Sequence, residues 1–326
     1  MDTKQPIGLV VLNMGGPDSL AAIQPFLYNL FSDRELIQLP AGALLQKPFA
    51  WMISRLRAPK VRENYRMIGG KSPQLRWTTL QAEGIARALG GSEVRPYVAM
   101  RYWHPRADAT VQRMAADGIT HAVVLSLYPH YTGATTGSSV ADFQRAIAKY
   151  HPTLKLTVIT EWYDWPGYLD ALANRVRESL ETYHELMRDD VQILFSAHAL
   201  PQKFIDRGDP YLEHVLATAR GVMARVGERP WHLGFQSRSG PVQWMEPGTL
   251  EVLDKLAAEG HRAVLLVPVS FVSDHVETLV EIDDEFARHA HSQGITEFGR
   301  TASLNDHQDF IDGMAALVRR ELGTPS

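Results

Sequence analysis

The stretch from Leu265 to Glu285 carries the densest set of side chains capable of acid–base or metal chemistry. It opens with an apolar run, Val264–Val269, whose length and composition are typical of a buried strand. His275 and Asp274 follow just past the carboxyl end of this strand, where ligands bind in open α/β sheets. A helix then carries acids spaced i, i+4 and i+8, which predicts one carboxylate ridge. These acids are Glu277, Glu281 and Glu285.

Two interpretations of this ridge fit the spacing equally well. An imidazole at the head of a column of carboxylates can hold or pass on a divalent cation, or relay protons. The alternative is a solvated helix face, since acids near a helix N-terminus are favoured by the helix dipole. The residue types around the other strands are therefore needed to choose between a site and a surface.

Polar and aromatic groups follow nearly every other predicted strand. Three histidines, several aromatic rings and an arginine recur at these positions: His104, His198, His275, Tyr102, Phe271, Trp244 and Arg101. A Thr/Gly/Ser run at 135–139 has the composition of an anion-binding helix start, and a plain capped helix explains it equally well. Together these groups predict a deep site for a flat aromatic ligand with anionic edges, served by a metal or proton path.

The elements that must position these residues alternate between strands and helices. Apolar runs predict seven strands: Ile7–Met14, Val94–Met100, Ala122–Leu127, Leu154–Ile159, Val191–Phe195, His232–Phe235 and Ala263–Val269. Helical patterns separate most of them, as at Thr79–Leu89, Asp108–Asp117, Tyr168–Met187 and Leu250–Glu259. This alternation predicts an α/β fold with parallel sheets. Turn residues at Pro152 and 164–167 place a boundary between two similar domains, 1–150 and 151–326.

The glycines after the first strand, in Asn13–Pro17, do not form a nucleotide-binding loop. The chain has neither a GxGxxG loop after a strand nor a GxxxxGK[ST] loop, which disfavours a nucleotide-dependent Rossmann enzyme. These glycines instead predict a tight turn with close backbone approach, either to the chain itself or to a ligand.

The segment Arg34–Pro73 interrupts the strand–helix rhythm and is predicted to be an irregular insertion. Its apolar residues are Leu36, Ile37, Leu39, Leu44, Leu45, Phe49, Trp51, Met52, Ile53 and Leu56, and its cations include Lys47, Arg55, Arg57, Lys60 and Arg62. Three roles are compatible with this composition. It can be an arm that packs domains together, a membrane-surface element with cations facing anionic head groups, or a lip over an apolar ligand whose carboxylates pair with arginine.

Composition excludes several classes of function. Lys+Arg 33 against Asp+Glu 37 leaves a formal charge of −4, so no nucleic-acid partner is predicted. With no cysteine, disulfides, thiolate nucleophiles and Cys-ligated metal clusters are excluded. The N-terminus lacks the pattern of a signal peptide, and no apolar run reaches the roughly 20 residues of a membrane span. We therefore expect a cytoplasmic protein.

Seven blocks of the sequence, in order, resemble the ferrochelatase family. They are LNMGGP (12–17), PKVRENYRMIGGKSP (59–73), RYWHP (101–105), TTGSS (135–139), SAHALP (196–201), GFQSRSGP with Trp244 (234–244) and SFVSDHVETL (270–279). The resemblance implies two Rossmann-like domains with a porphyrin in the cleft between them. It also implies insertion of Fe2+ into protoporphyrin IX, the last step of haem synthesis, with iron as a substrate and no permanently bound cofactor.

Carried over by position, the resemblance implies a role for each matching residue. His198 and Glu277 become the facing pair that binds metal and removes protons, with His275 beside them. Asp274, Glu281 and Glu285 become a metal or proton path. The porphyrin-binding residues become Met14, Arg57, Lys60, Tyr65, Ser72, Arg101, Tyr102, Trp244 and Phe271. Relatives that use coproporphyrin tend to carry tyrosine at the position of Met14, so methionine and the apolar insertion favour protoporphyrin IX.

The sequence also departs from part of the family. Many relatives carry a [2Fe–2S] cluster on a C-terminal extension, which the lack of cysteine excludes here. Without that extension we predict a monomer or a weak dimer, with the last helix packing back on the N-terminal domain. The insertion predicts peripheral contact with the inner membrane surface. Two alternatives are a chelatase for cobalt or sirohydrochlorin, disfavoured by the apolar insertion, and a non-catalytic porphyrin carrier, which has no use for Glu277 and Glu281 beside His198.

Overall fold

The computed structural model describes residues 6–36, 42–185 and 187–323. The chain divides into two compact units. The first contains the chain up to Glu161 together with the stretch from Met314 onward, and the second is Trp162–Gly313.

The first unit is built on a four-stranded sheet whose strands are all parallel. Its elements in order are β1 (Ile7–Asn13), α1 (Ile23–Phe31), α2 (Ala43–Met67), α3 (Gln74–Ala88), β2 (Val94–Met100), α4 (Ala107–Ala116), β3 (His121–Ser126), α5 (Ser138–Tyr150) and β4 (Lys155–Ile159). The strand order is β2-β1-β3-β4. Because β4 pairs with β3, the unit extends past residue 150, and the predicted boundary at 150 was about ten residues too early.

The second unit repeats this architecture. Its elements are α6 (Pro166–Leu180), β5 (Gln192–His198), α7 (Gln202–Asp206), α8 (Tyr211–Val226), β6 (Trp231–Gln236), α9 (Thr249–Ala258), β7 (Ala263–Pro268), a helix at Glu277–Phe286, α10 (Ala287–Ser292), β8 (Glu297–Arg300) and α11 (Gln308–Glu321). The strand order β6-β5-β7-β8 reproduces that of the first sheet, again entirely parallel. The division between the units passes through α11 at Gly313.

These two sheets confirm the predicted α/β class with two similar parallel-sheet domains. All six residues of β7 are buried, as expected for a central parallel strand covered on both faces. All seven predicted strands are present, each shifted by no more than a few residues. The edge strand β8 was not predicted, because Glu297–Arg300 is only four residues long and half-buried, without an apolar run.

The insertion contains a 25-residue helix, α2, so the prediction of an irregular segment was wrong. Pro48 and Pro59 lie inside it, and a proline in a helix interior costs about 3 kcal/mol. Packing outweighs that cost, since small side chains at Ala50, Ser54 and Ala58 are buried on the side toward α1. Two predicted apolar residues of this segment, Ile37 and Leu39, lie outside the described residues.

The opposite face of α2 carries large apolar side chains in solvent. We call this the α2 ridge: Leu44 (90% exposed), Leu45 (53%), Trp51 (54%), Met52 (49%) and Leu56 (69%). From Gly42 to Arg62 the sequence has five cations and no acid. Across the described ranges, no helix has both the length and the apolar character needed to cross a bilayer.

Candidate active site

Three neighbouring strands of the second sheet bring the candidate catalytic residues together. His198 is the last residue of β5, and the loop after β7 leads into the helix that begins at Glu277. Ser237 follows the last residue of β6. Because β6, β5 and β7 are adjacent and parallel, their carboxyl ends meet at one edge of the sheet. The predicted grouping of His198, His275 and Glu277 is observed there.

Two imidazoles converge on one carboxylate oxygen. Nε2 of His198 lies 3.7 Å from Oε2 of Glu277, and Nε2 of His275 lies 3.6 Å from the same oxygen. Each Nδ1 faces a backbone carbonyl, that of Ala199 at 2.7 Å and that of Ser273 at 3.2 Å, respectively. A carbonyl can only accept, so each Nδ1 donates its hydrogen there. Each Nε2 is then an acceptor when its ring is neutral and a donor towards Glu277 when its ring is protonated. With both rings neutral, three acceptor atoms face one another.

This arrangement attracts a proton or a cation. Nε2 of His275 is buried and has no hydrogen-bond partner among the described residues. Burial alone would raise the pKa of Glu277, but the interactions of its carboxylate with His198 and His275 and with the hydroxyl of Ser237 outweigh burial. The pKa of Glu277 is lowered to about 2. At neutral pH Glu277 is thus ionised.

Ser237 connects Glu277 to a second carboxylate, Glu281. The Ser237 amide donates to Oε1 of Glu281 at 2.8 Å, and its hydroxyl lies 2.5 Å from Oε2 of Glu281 and 3.3 Å from Oε2 of Glu277. Gln236 donates a further hydrogen bond to Glu281 at 3.2 Å. Ser237 has φ 65°, a left-handed conformation that is uncommon for residues other than glycine.

The two carboxylates have opposite tendencies to ionise. Burial and the negative charge of Glu277 raise the pKa of Glu281. The hydrogen bonds from Ser237 act in the opposite direction, but they do not cancel this increase. A carboxyl that ionises readily therefore lies beside one that protonates readily, an arrangement that separates acid and base roles at one site. The sequence placed both acids on one ridge but gave no sign of this difference.

The helix carrying these acids, Glu277–Phe286, is a π-helix rather than an α-helix. Its i→i+5 turns are rare and occur mostly at functional sites. Val280, Ile282 and Phe286 anchor it in the core. The predicted ridge of three acids is only partly formed, because Glu277 and Glu281 share Ser237 whereas Glu285 is exposed.

Phe271 borders this cluster, and Trp244 pairs with the loop that follows His198. The ring of Phe271 lies 4.1 Å from that of His275 and 6.2 Å from that of His198, measured between centroids. Trp244 is bridged to Pro201, three residues beyond His198, and its buried Nε1 has no hydrogen-bond partner within the described part of the chain. Both residues were predicted for porphyrin binding, and both lie within the second unit.

Asp274, predicted for a metal or proton path, is instead held by hydrogen bonds. Its carboxylate accepts from Ser303 at 2.7 Å and from Asn305 at 2.9 Å, and the Asp274 amide donates back to Asn305. Nη1 of Arg300 lies 3.4 Å away. Arg300, Ser303 and Asn305 were missed by the sequence analysis, because no strand was predicted before them.

Predicted residues of the first unit form a separate buried network. The carboxylate of Asp33 accepts from Arg101 at 2.8 Å, from Tyr102 at 2.7 Å and from Ser138 at 2.7 Å. Burial opposes ionisation, but these hydrogen bonds and the charge of Arg101 lower the pKa of Asp33. Arg101 and Tyr102 are thus bound to their own chain. In the Thr/Gly/Ser run at 135–139, the hydroxyl of Ser138 contacts Asp33 and the hydroxyl of Thr136 contacts Ser126. These contacts within the protein agree with the interpretation of the run as a plain capped helix start.

The glycine turn after β1 approaches its own chain closely. Gly15 has φ +82°, and a Cβ on Gly16 would lie 2.4 Å from Oγ of Ser72. Ser72 also donates its amide to the carbonyl of Pro17 at 2.7 Å. Met14 is partly buried at the start of this turn. Glycine is therefore required in this turn by the backbone conformation of Gly15 and by the close contact between Gly16 and Ser72.

The other predicted residues of this unit lie on or near α2. Tyr65 is 4% exposed and faces the glycine turn, with its hydroxyl 3.6 Å from where a Cβ on Gly16 would lie. Arg57 and Lys60 are exposed, and the guanidinium of Arg57 lies over the ring of Phe31 at 5.8 Å. His104 is exposed as well, so of the three histidines only His198 and His275 meet.

Among the described residues, no group of three or more His, Asp or Glu side chains is arranged so that it could hold a metal ion. Nε2 of His198 and Nε2 of His275 lie 3.7 and 3.6 Å from Oε2 of Glu277. Nitrogen and oxygen atoms of this kind are the ligands that suit a borderline divalent cation such as Fe2+ or Zn2+.

Comparison with known proteins agrees with this fold. SirB from Bacillus subtilis with Fe3+ has a TM-score of 0.59 over 97% of this chain and 96% of that one, at 10% identity, so the likeness extends to the fold alone. The family model for ferrochelatase matches residues 6–322. A ferrochelatase of Geotalea daltonii is 48% identical over 97% of this chain and 98% of its own length. One from Synechococcus sp. (strain JA-3-3Ab) is 46% identical over 97% and 94%.

Fold and site thus define the class: the protein is a metal chelatase built on two parallel α/β sheets. More particularly, the chain belongs to the ferrochelatase family.

Proposed function

We propose that the protein inserts Fe2+ into protoporphyrin IX to form protohaem. The observation that carries the proposal is the convergence of His198, His275 and Glu277, whose facing atoms are three proton acceptors when both imidazoles are neutral. Metal-free porphyrin brings two donors to such a site as its pyrrole N–H groups. Fe2+ is the substrate that replaces these protons, and the reaction as proposed needs no resident cofactor.

The chemistry consists of two proton removals and one ligand exchange. Porphyrin and Fe2+ give protohaem and two protons, while the macrocycle bends so that its nitrogens open to one face. The imidazole of His198, when neutral, can act as the general base that accepts a proton. Glu277, ionised at neutral pH, stabilises the imidazolium that results. Glu281, which protonates more readily, can receive a proton through Ser237. We propose no path through Asp274, because its carboxylate is occupied by hydrogen bonds.

The choice of protoporphyrin IX over a more acidic tetrapyrrole rests on the residues proposed to surround it. Phe271 borders the catalytic cluster, Trp244 pairs with Pro201 in the loop after His198, and Met14 is apolar and partly buried. Arg57 and Lys60 are the exposed cations proposed to contact the propionates. Arg57→Lys should therefore mainly raise KM for porphyrin, because lysine cannot form the bidentate pair. A change confined to kcat would contradict this contact.

The test is an anaerobic assay with Fe2+, or Zn2+ as a stable surrogate. Loss of free-porphyrin fluorescence is followed with protoporphyrin IX and, in parallel, coproporphyrin III. His198→Ala and Glu277→Gln should each lower the insertion rate by about 10²–10⁴-fold, the usual contribution of a general base, while porphyrin still binds. His261 and Glu259 form a surface His–Glu pair at 3.9 Å, so His261→Ala and Glu259→Gln are matched controls.

Each outcome of this assay decides between the candidate functions. Multiple turnovers on protoporphyrin IX that are lost only in the site variants establish the proposed enzyme. Tight binding without turnover on either porphyrin identifies a carrier instead. Faster turnover on coproporphyrin III contradicts the proposed substrate, and a near-normal rate in Glu277→Gln contradicts the role of that carboxylate.

We also propose that the α2 ridge places the enzyme on the inner membrane surface as a peripheral, cytoplasmic protein. Five exposed apolar side chains lie on a helix whose first 20 residues include no acid. This pattern is typical of a helix lying in the plane of an anionic lipid surface. The proposed porphyrin substrate and haem product are poorly soluble in water, which favours an enzyme located at the membrane.

In solution we predict that the protein is a monomer or a weak dimer, to be measured by sedimentation velocity.

A further inference from the structure

The π-helix Glu277–Phe286 is held to the neighbouring strand by charged contacts. Arg300, the last residue of β8, pairs with carboxylates both in the loop before this helix and in its middle. Its Nε and Nη2 donate to the two oxygens of Asp283 at 2.7 and 2.9 Å. Its Nη1 lies 3.4 Å from Asp274. Glu277 lies in sequence between these two fixed points.

Nη1 of Arg300 makes further hydrogen bonds. Nη1 donates to the carbonyl of Thr301 at 3.0 Å and to Oγ of Ser303 at 3.2 Å, and Ser303 in turn donates to Asp274. The Arg300 side chain is only 12% exposed. A planar guanidinium that satisfies a bidentate carboxylate and a second group together cannot be replaced by the single ammonium of lysine.

We propose that Arg300 is a positioning residue that sets where Glu277 lies relative to His198. The inference rests on the proposed function, since it assumes that this pair performs the insertion. Arg300 does not contact either residue. It fixes the segment from Asp274 to Asp283, and a displacement of about 1 Å in a catalytic group can cost about 100-fold in rate.

The helix offers a matched control. Arg288 makes the same kind of bidentate pair with Asp284, at 3.0 and 2.6 Å, but its side chain is 70% exposed and it contacts no residue of the loop before the helix in the described chain. Arg300→Lys and Arg288→Lys are therefore compared in the full-length enzyme. We measure kcat and KM with Zn2+ and protoporphyrin IX, porphyrin binding by fluorescence, and the unfolding temperature.

Arg300→Lys should lower kcat by about 10–100-fold with KM for porphyrin within two-fold, whereas Arg288→Lys should change neither by more than two-fold. Guanidinium at millimolar concentration should restore part of the rate of Arg300→Ala and not that of Arg288→Ala. A kcat within two-fold of wild type in Arg300→Lys, or a loss that simply follows the unfolded fraction, overturns the proposal.

A double-mutant cycle separates this inference from the proposed function. If Arg300 acts through Glu277, Arg300→Lys should reduce the residual rate of Glu277→Gln by less than two-fold, since coupled residues are not additive. Full additivity contradicts the positioning role. Normal activity of Glu277→Gln alone shows instead that the assignment of Glu277 is wrong, whatever Arg300 does.

Discussion

The α2 ridge gives a prediction whose size follows from its exposed side chains. The double variant Lys47→Gln/Arg55→Gln removes two exposed cations that are not proposed to contact porphyrin. A cation near an anionic membrane surface contributes about 1 kcal/mol. The pair therefore contributes about 2 kcal/mol, and its loss should weaken binding to anionic vesicles by about 30-fold.

The apolar side chains should contribute a similar amount. Leu44 and Leu56 are 90% and 69% exposed in the protein. Fully burying a leucine is worth about 1.5–3 kcal/mol, so, scaled by these exposed fractions, Leu44→Ser/Leu56→Ser should lose about 2.4–4.8 kcal/mol of membrane affinity. Unlike the charge effect, this loss should persist at high salt, because screening acts on the ionic part alone. Leu250→Ser, which changes a leucine 39% exposed in the other unit, is the control.

The assay is sedimentation with vesicles of phosphatidylcholine alone or mixed with phosphatidylserine, at 0.05 and 0.5 M salt. The wild-type protein should bind vesicles that contain phosphatidylserine more tightly than vesicles of phosphatidylcholine alone. This difference in affinity should be smaller at 0.5 M salt than at 0.05 M salt. Equal binding to both compositions, or unchanged binding of both double variants, would refute a membrane role for the ridge. If the ridge variants instead raised KM for porphyrin in free solution, the ridge would serve the substrate rather than the bilayer.

Two further predictions concern pH and stability. Because burial and Glu277 raise the pKa of Glu281, the folded state loses stability relative to the unfolded state as pH rises from about 4.5 through that raised value. The unfolding temperature of Glu281→Gln should therefore rise relative to that of wild type as pH increases over this range. The variant Glu285→Gln, which changes an exposed acid, is the control and should show no such rise. If the difference in unfolding temperature between Glu281→Gln and wild type stayed constant with pH, the raised pKa of Glu281 would be contradicted. Asp33 has a lowered pKa, so its contribution is present above pH ~4 and is lost as pH falls through the folded value. Asp33→Asn should cost about 3–5 kcal/mol at pH 7, measured by urea unfolding, and the difference from wild type should shrink below pH 4. Equal stability at pH 7 would show that the ion pair with Arg101 is not formed.

The strands and the residues that follow them were predictable because both depend on local pattern. The run Ala263–Pro268 is apolar throughout, and its parallel pairing with β5 brings His198 and Glu277 to one edge. The course of α2 was not predictable from the same rules. Its two prolines and its outward-facing leucines indicate an interrupted or irregular segment, and only packing of small residues against α1 makes the helix regular.

The residues that hold the loop before Glu277 in place could not be predicted from the sequence for a different reason. Arg300 and Asn305 belong to a short edge strand and its following loop, where no periodicity marks them. Their partner Asp274 was visible and was predicted as part of a metal or proton path, because sequence shows a carboxylate but not what occupies its oxygens. Conversely Arg101, predicted for the pocket, binds Asp33, a residue 68 positions away that no local pattern connects to it.

The distribution of hydrogen-bond donors around the two acids explains how the site combines rigidity with reactivity. Ser237 and Gln236 supply the donors that hold Glu281, and Arg300 fixes the helix by way of Asp283. At the point where both imidazoles approach Glu277, the shared hydroxyl of Ser237 also lies near, at 3.3 Å from Oε2. Nε2 of His275 is buried without a hydrogen-bond partner among the described residues, and packing a polar group without a partner is costly. The arrangement becomes favourable when protons or a cation arrive there, which is what insertion of a metal into a porphyrin supplies.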